Sequence, residues 1–220
     1  MKGIINKNLE GIVNNPDFNI KFSEVPHGSE SILLEEIRSK FQRNIIFIAS
    51  DIKRYNQIKD LLSFTLKGEF LTFPQFDTSP YDRITPNKKI SSERIKTLID
   101  INESGDKDLI ILSTVRASAQ YILSKDDCLE RTFELKVGMN LNIKDLATYF
   151  ISNGYIKTET VREYGDFSVR GGIIDFYSPS NKPVRLDFFG NTVDAIKIWV
   201  ILKPLQYKRA AIVWKPWNVK

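Results

Sequence analysis

The stretch Val184-Arg-Leu-Asp-Phe-Phe189 alternates, so Val184, Leu186 and Phe188 share one face of a strand while Arg185, Asp187 and Phe189 share the other. That leaves a phenylalanine on the charged face, about 13 Å from Arg185 at ~3.3 Å per residue. Upstream, Phe167-Ser-Val-Arg170 shows the same split with Arg170 outward, and Gly171-Gly172 follows. Paired glycines in a strand pattern suggest a bulge or a close backbone approach. Two arginines and an aromatic on one face are the ingredients of a protein-binding hot spot: planar donors beside a large apolar surface. A plainer arrangement fits the same spacing, with Phe189 packed under a neighbouring strand and the arginines paired with Asp187 or Glu163.

A second stretch resembles a phosphate-binding loop and departs from it at one residue. Val25-Pro-His-Gly-Ser-Glu-Ser31 precedes the first amphipathic segment, where a nucleotide-binding loop would sit. Such a loop holds phosphates with backbone N–H groups and a lysine. Aligned through the following helix, the lysine position falls on Glu30. At ~4 Å and an effective dielectric of ~20, an anion there repels each phosphate charge by about 4 kcal/mol. The same glutamate suits a helix N-terminus. Gly28, Ser29, Glu30 and Ser31 therefore read as a degenerate phosphate loop that serves structure, with residual phosphate or sulfate binding as the alternative.

Other catalytic patterns are missing. No Gly-Lys dipeptide occurs, nor G-x-G-x-x-G, H-E-x-x-H or C-x-x-C. Glu35/Glu36 and Asp126/Asp127 are sequence neighbours, which do not face each other on a helix, and read as solvated surface. A single histidine (His27) and a single cysteine (Cys128) argue against histidine-ligated metals, Ser-His-Asp triads, disulfides and cysteine cages, so no metal or cofactor is expected. A lone cysteine, no membrane-length apolar run and no apolar leader within the first fifteen residues suit a cytoplasmic protein without membrane contact. The net charge of +5 invites a nucleic-acid reading until it is divided. Lys203, Lys208, Arg209, Lys215 and Lys220 lie in residues 200–220, a stretch without acids, and the rest of the chain is neutral. Trp199, Trp214 and Trp217 also lie at or beyond 199. The body therefore offers no electrostatic case for gripping DNA along its length.

The elements that must hold these residues fall into two grammars. Residues 30–43 place Leu33, Ile37 and Phe41 on one helical face, with Leu34 beside them. Residues 44–49 read as a buried parallel strand, Asp51 as the cap of a helix over 52–67, and Gly68 as its end. Residues 69–73 form a second strand. A loop holding Pro74, Pro80 and Pro86 leads to a helix starting at Ser91 or Ser92, with Ile95, Leu98 and Ile99 inward. Residues 108–112 are a third strand, followed by a helix from Val115 to about Leu123. This is α/β alternation around a parallel sheet. Past a polar boundary in 124–131, residues 131–137 alternate. Asn142 then caps a helix with Ile143, Leu146, Ala147, Phe150 and Ile151 on one face. Short strands follow over 155–161, 166–170, 172–177, 184–189 and 192–199, which is a small α+β arrangement. The expected units are 1–126, 127–199 and an atypical basic tail, 200–220.

At this point the motifs resemble a family. Tyr164-Gly-Asp-Phe-Ser-Val-Arg-Gly-Gly-Ile-Ile-Asp-Phe-Tyr177 and Pro183-Val-Arg-Leu-Asp-Phe-Phe-Gly190 are similar to the UvrA-interaction domain shared by UvrB and bacterial transcription-repair coupling factors. Phe76-Asp-Thr-Ser-Pro-Tyr-Asp-Arg-Ile-Thr-Pro86 and Ser113-Thr-Val-Arg-Ala-Ser118 resemble the coupling factors' first domain rather than UvrB. The resemblance covers roughly residues 20–199. It implies a UvrB-like domain 1A that has lost its ATP-binding loop, in agreement with Glu30, followed by a small α+β UvrA-interaction domain. It implies that Arg170, Arg185 and Phe189 bind UvrA in nucleotide excision repair, with no catalytic residues. The family's contacts with DNA and RNA polymerase belong to parts not found in this sequence. Residues 200–220 do not resemble the family's continuation, and a frame slip or truncation near 199–200 is the expected origin. A UvrB-like ATP-dependent helicase or translocase fragment, DNA contact through the basic tail and a non-functional remnant are the competing readings. Exposed apolar surface on the first unit is also expected.

Overall fold

In a computed structural model the described residues are 22 and 24–212, apart from 42, 67–69, 80–82, 106–107, 131, 180–181, 201–202 and 207–208. Gly68, Pro80, Arg131 and the tail beyond 212 thus lie outside the described residues. Two units are joined through one shared helix.

The first unit is the expected α/β layer. Helix α1 (Glu30–Phe41) leads to β1 (Ile45–Ala49), α2 (Ile52–Thr65), β2 (Leu71–Phe73), α3 (Lys88–Glu103) and β3 (Ile110–Thr114). The strands pair in the order β1-β3-β2, all parallel. Asp51 caps α2, its carboxylate accepting from the Arg54 N–H at 2.8 Å. Leu34, Tyr55, Ile58, Leu62, Ile110 and Leu112 form the core on one face of the sheet. Ile111 and Phe73, with Leu98 and Ile101 of α3, form the core on the other.

Three local expectations shift. Helix α3 starts at Lys88 rather than at Ser91 or Ser92, because the Asn87 side chain accepts from the Lys89 N–H and caps it. Helix α4 (Val115–Ser118) stops well short of Leu123: Thr114 caps it, but Tyr121 and Ile122 are exposed and have no surface to pack on. Strand β1 is buried on one face only. Ile46 is 62% and Ile48 49% exposed, since β1 is a sheet edge and the α3-side core centres on β2 and β3. The expected exposed apolar surface is therefore present.

Helix α5 (Lys125–Glu130) lies across the expected boundary at 126/127. Beyond it come β4 (Phe133–Lys136), α6 (Ile143–Ser152), β5 (Ile156–Lys157), β6 (Asp166–Arg170), β7 (Ile173–Tyr177), β8 (Pro183–Phe189), β9 (Thr192–Val200), β10 (Lys203–Gln206) and β11 (Arg209–Ile212). Strands β10-β9-β8-β7-β6-β5 form one sheet, antiparallel except for the β5–β6 pair. The β5 pairing is parallel and two residues long, where a longer strand over 155–161 was expected. Helix α6, capped by Asn142, lays Leu146 and Phe150 on the sheet. Ile151, expected on that face, is exposed, being rotated about 100° from Phe150. The backbone of 203–206 pairs with β9 and that of 209–212 with β4.

Contacts made by α3 tie the units. Ile95 and Ile99 of α3 join the core of the second unit. The Lys88 ammonium lies 3.5 Å from both the Glu163 and Asp166 carboxylates.

The first unit also carries a buried cation. Arg94 is 4% exposed, and its guanidinium lies 4.0 Å from the Phe73 ring centre and 4.3 Å from that of Phe76. It donates to the Pro74 carbonyl at 2.7 Å, fixing the start of the proline-rich loop. Burial lowers its pKa to about 10, still charged at neutral pH. Arg94→Ala removes both ring contacts and the carbonyl's partner. It is expected to destabilise the chain by about 2–3 kcal/mol, read as a lowered midpoint in urea denaturation.

Candidate functional site

The second unit's outer sheet face is set by register. The Gly171–Gly172 turn closes the β6–β7 hairpin, with Arg170 opposite Ile173 and Ser168 opposite Asp175. Gly171 takes φ +58°, a left-handed value that glycine adopts at little cost. At Gly172 an added Cβ would lie 3.0 Å from the Phe188 carbonyl oxygen, and the Phe188 N–H donates to the Gly172 carbonyl at 2.8 Å. The paired glycines thus serve a turn and a close approach together.

Across the next pairing, Asp187 sits opposite Ile173 and Arg185 opposite Asp175. Phe167, Ile174, Phe176, Val184 and Leu186 are buried in the core beneath α6. Arg170, Asp175, Arg185, Asp187 and Phe189 therefore share the opposite face. Alternation along β8 keeps Phe188 against the core and Phe189 outward, opposite Thr192, and the register shift after Asp187 passes over Asp194 of β9. Arg170 lies two strands from Asp187, roughly 10 Å away, and its row falls between those of Arg185 and Phe189.

The side chains differ in how they are held. Phe189 is 84% exposed, so it does not pack under a neighbouring strand. Arg185 is gripped side-on by Asp175, with Nε to Oδ1 at 2.6 Å and Nη2 to Oδ2 at 2.8 Å. That pair raises the arginine's pKa, with burial opposing. Lys197, opposite Arg185 on β9, turns to Asp187. Asp175 takes the two Arg185 hydrogen bonds, and the charge of Asp187, one of the expected partners, also acts on Arg185 to raise its pKa. Arg170 is exposed and donates through Nη2 to the Glu159 carbonyl and the Thr160 hydroxyl. Beside it opens a cleft of about 480 Å³ lined by Lys157, Thr158, Glu159, Ser168, Val169 and Arg170. Alternation puts Asp175 on this face, but pairing it with Arg185 requires the turn register, which the sequence leaves open.

The loop before α1 is closed on itself. Gly28 takes φ +96°, and its N–H donates to Glu30 Oε2 at 2.8 Å. Glu30 Oε1 pairs with the Arg54 guanidinium, which also lies 3.3 Å from His27 Nδ1. Ser29 turns back to the Pro26 carbonyl, and Ser31 to that of Gly28. An internal carboxylate thus occupies the amide that a phosphate loop would offer to its ligand. For Glu30, burial works to raise the pKa, but hydrogen bonds from its own amide and that of Gly28, with the charge and hydrogen bond of Arg54, hold it below the usual 4.5.

Among the described residues, no group of three or more histidine, cysteine or carboxylate side chains could hold a metal ion. Among the same residues, no helix is long and apolar enough to cross a membrane.

Comparison with known proteins gives this face a context. Residues 133–211 match the family model of the UvrB interaction domain, a span that includes β4 to β10 and most of β11. Over 173 residues the chain is 28% identical to the transcription-repair-coupling factor of Myxococcus xanthus, covering 75% of this chain and 14% of the relative. The Escherichia coli K12 protein of the same name is 26% identical over 168 residues, 76% of this chain and 14% of the relative. That of Staphylococcus epidermidis is 25% identical over 180 residues, 81% of this chain and 15% of the relative. The chain thus spans about 14–15% of the length of the relatives it matches.

A carboxylate depressed in the folded state adds stability that is present above its unfolded pKa and lost as pH falls through the folded value. For Glu30 that loss falls below 4.5. Glu30→Gln should therefore lower stability at pH 7, and the gap between variant and parent should narrow on acidification below about pH 4.5. Urea midpoints measured at pH 7 and pH 3 check this.

Proposed function

We propose that this chain, a relative of the transcription-repair-coupling factors that carries a UvrB interaction domain over residues 133–211, acts as a UvrA-binding module in transcription-coupled nucleotide excision repair. The family-model match over residues 133–211 is to an interaction domain, so the role proposed for these residues is binding. Contact with DNA or RNA polymerase is not assigned to these residues. The module would act in the cytoplasm.

One observation carries the reading: an aromatic ring left 84% exposed on the same sheet face as two arginines. Burying that ring against water is costly to leave undone in a monomer and favourable once a partner covers it. Arginine supplies planar donors for carboxylates or carbonyls at the rim, with the ring as anchor. The sheet face is rigid beneath them, so little ordering is required on association.

Binding to purified UvrA tests it. Arg170→Ala, Arg185→Glu and Phe189→Ala should each weaken binding by about 2 kcal/mol or more. The hydrogen bonds and ring exposure suggest that Phe189→Ala leaves the fold intact, so its melting temperature should match the parent's. Unchanged affinity in all three variants would remove the face from the account.

A further inference from the structure

We propose that Asp175 is a positioning residue for Arg185, fixing the direction in which that arginine meets the partner. This rests on the reading that the face binds UvrA. Asp175 and Arg185 sit directly opposite each other on β7 and β8. The carboxylate takes the Nε and Nη2 edge of the guanidinium in a two-point grip, at 2.6 Å and 2.8 Å. Both side chains are largely covered, at 17% and 27% exposure, so water screens the pair less than a rim pair.

The neighbours show why a grip is needed. On the other side of Arg185, β9 places Lys197 directly opposite, a like charge that repels the guanidinium. Asp187, two residues along the same strand, is already paired with Lys197. Without Asp175 the nearest acid on this face is Asp187, and Arg185 would compete with Lys197 for it. The arginine would then swing along β8 toward Phe189 instead of lying across β7. A flexible side chain with several rotamers would have to be ordered by the partner at each encounter. With Asp175 present it is ordered beforehand, and the planar fork keeps one orientation.

The test is a set of affinities of the full chain for purified UvrA, with thermal melts of each variant. Arg185→Ala should weaken binding about tenfold or more, and Asp175→Ala by about five- to tenfold. The double variant should be no weaker than Arg185→Ala alone, within about twofold, because Asp175 acts only through Arg185. Asp175→Asn keeps the shape and one acceptor. It should fold with the parent's circular dichroism and lose about two- to threefold, which separates positioning from a folding defect. If both Asp175 variants bind like the parent while Arg185→Ala is weakened, this inference falls and the UvrA reading stands. Losses that multiply in the double variant assign Asp175 a role independent of Arg185 and also overturn the inference. If Arg185→Ala itself binds like the parent, the UvrA role of that arginine fails first, and the inference with it.

Discussion

The register of three strands, β6, β7 and β8, governs the rest of the second unit. Side chains alternate along a strand, so a slip of one residue would exchange its two faces. Phe167, Phe176 and Leu186 would then meet water, and Arg185 and Asp187 would enter the core. What prevents this is the packing beneath. The Phe150 ring on α6 lies 5.2 Å from Phe167, 5.1 Å from Phe176 and 4.7 Å from Tyr155. Each of these rings removes a large apolar area from water, and the Gly171–Gly172 turn allows one pairing of β6 with β7. The outer face is therefore a by-product of the inner one: the aromatic core fixes which residues point away from it.

The sequence made the periodic parts legible and hid what depends on neighbours. Alternation placed Arg185 and Phe189 on one face because a strand's period is a backbone property. The caps at Asp51 and Asn142 were readable because a side-chain oxygen satisfies a first-turn N–H locally. Asn87 does not stand out as a cap in the sequence because Ser91 and Ser92 carry equally good capping groups four and five residues later. Ile46 and Ile48 looked buried because an apolar run does not reveal whether a sheet continues past its edge. The Asp175–Arg185 pair and the Arg94 stack join residues ten or more positions apart through register or loop geometry, and neither leaves a local signal.

Electrostatics in the two units follow one pattern, in which internal charges answer each other. In the first, Glu30 fills the amide of Gly28 and meets Arg54, so a loop shaped like an anion cradle holds its own anion. In the second, Asp175 answers Arg185 and Asp187 answers Lys197, which leaves the sheet face nearly neutral despite its many charges. A neutral, ordered face with one protruding ring suits short-range fit more than long-range attraction. This agrees with a body whose excess charge lies wholly in its last stretch.

The shared helix α3 gives the two units a mechanical relation. Its Lys88 end reaches the carboxylates of Glu163 and Asp166, and its Ile95 and Ile99 enter the second core while Leu98 and Ile101 belong to the first. One helix thus buries apolar side chains in both units along its length. Asp166 accepts from the Arg162 and Glu163 N–H groups at 3.2 Å and 3.0 Å, which shapes the turn leading into β6, the strand that ends in Arg170. The α/β unit therefore acts as a buttress. Through α3 it holds the base of the hairpin whose tip carries the exposed arginine.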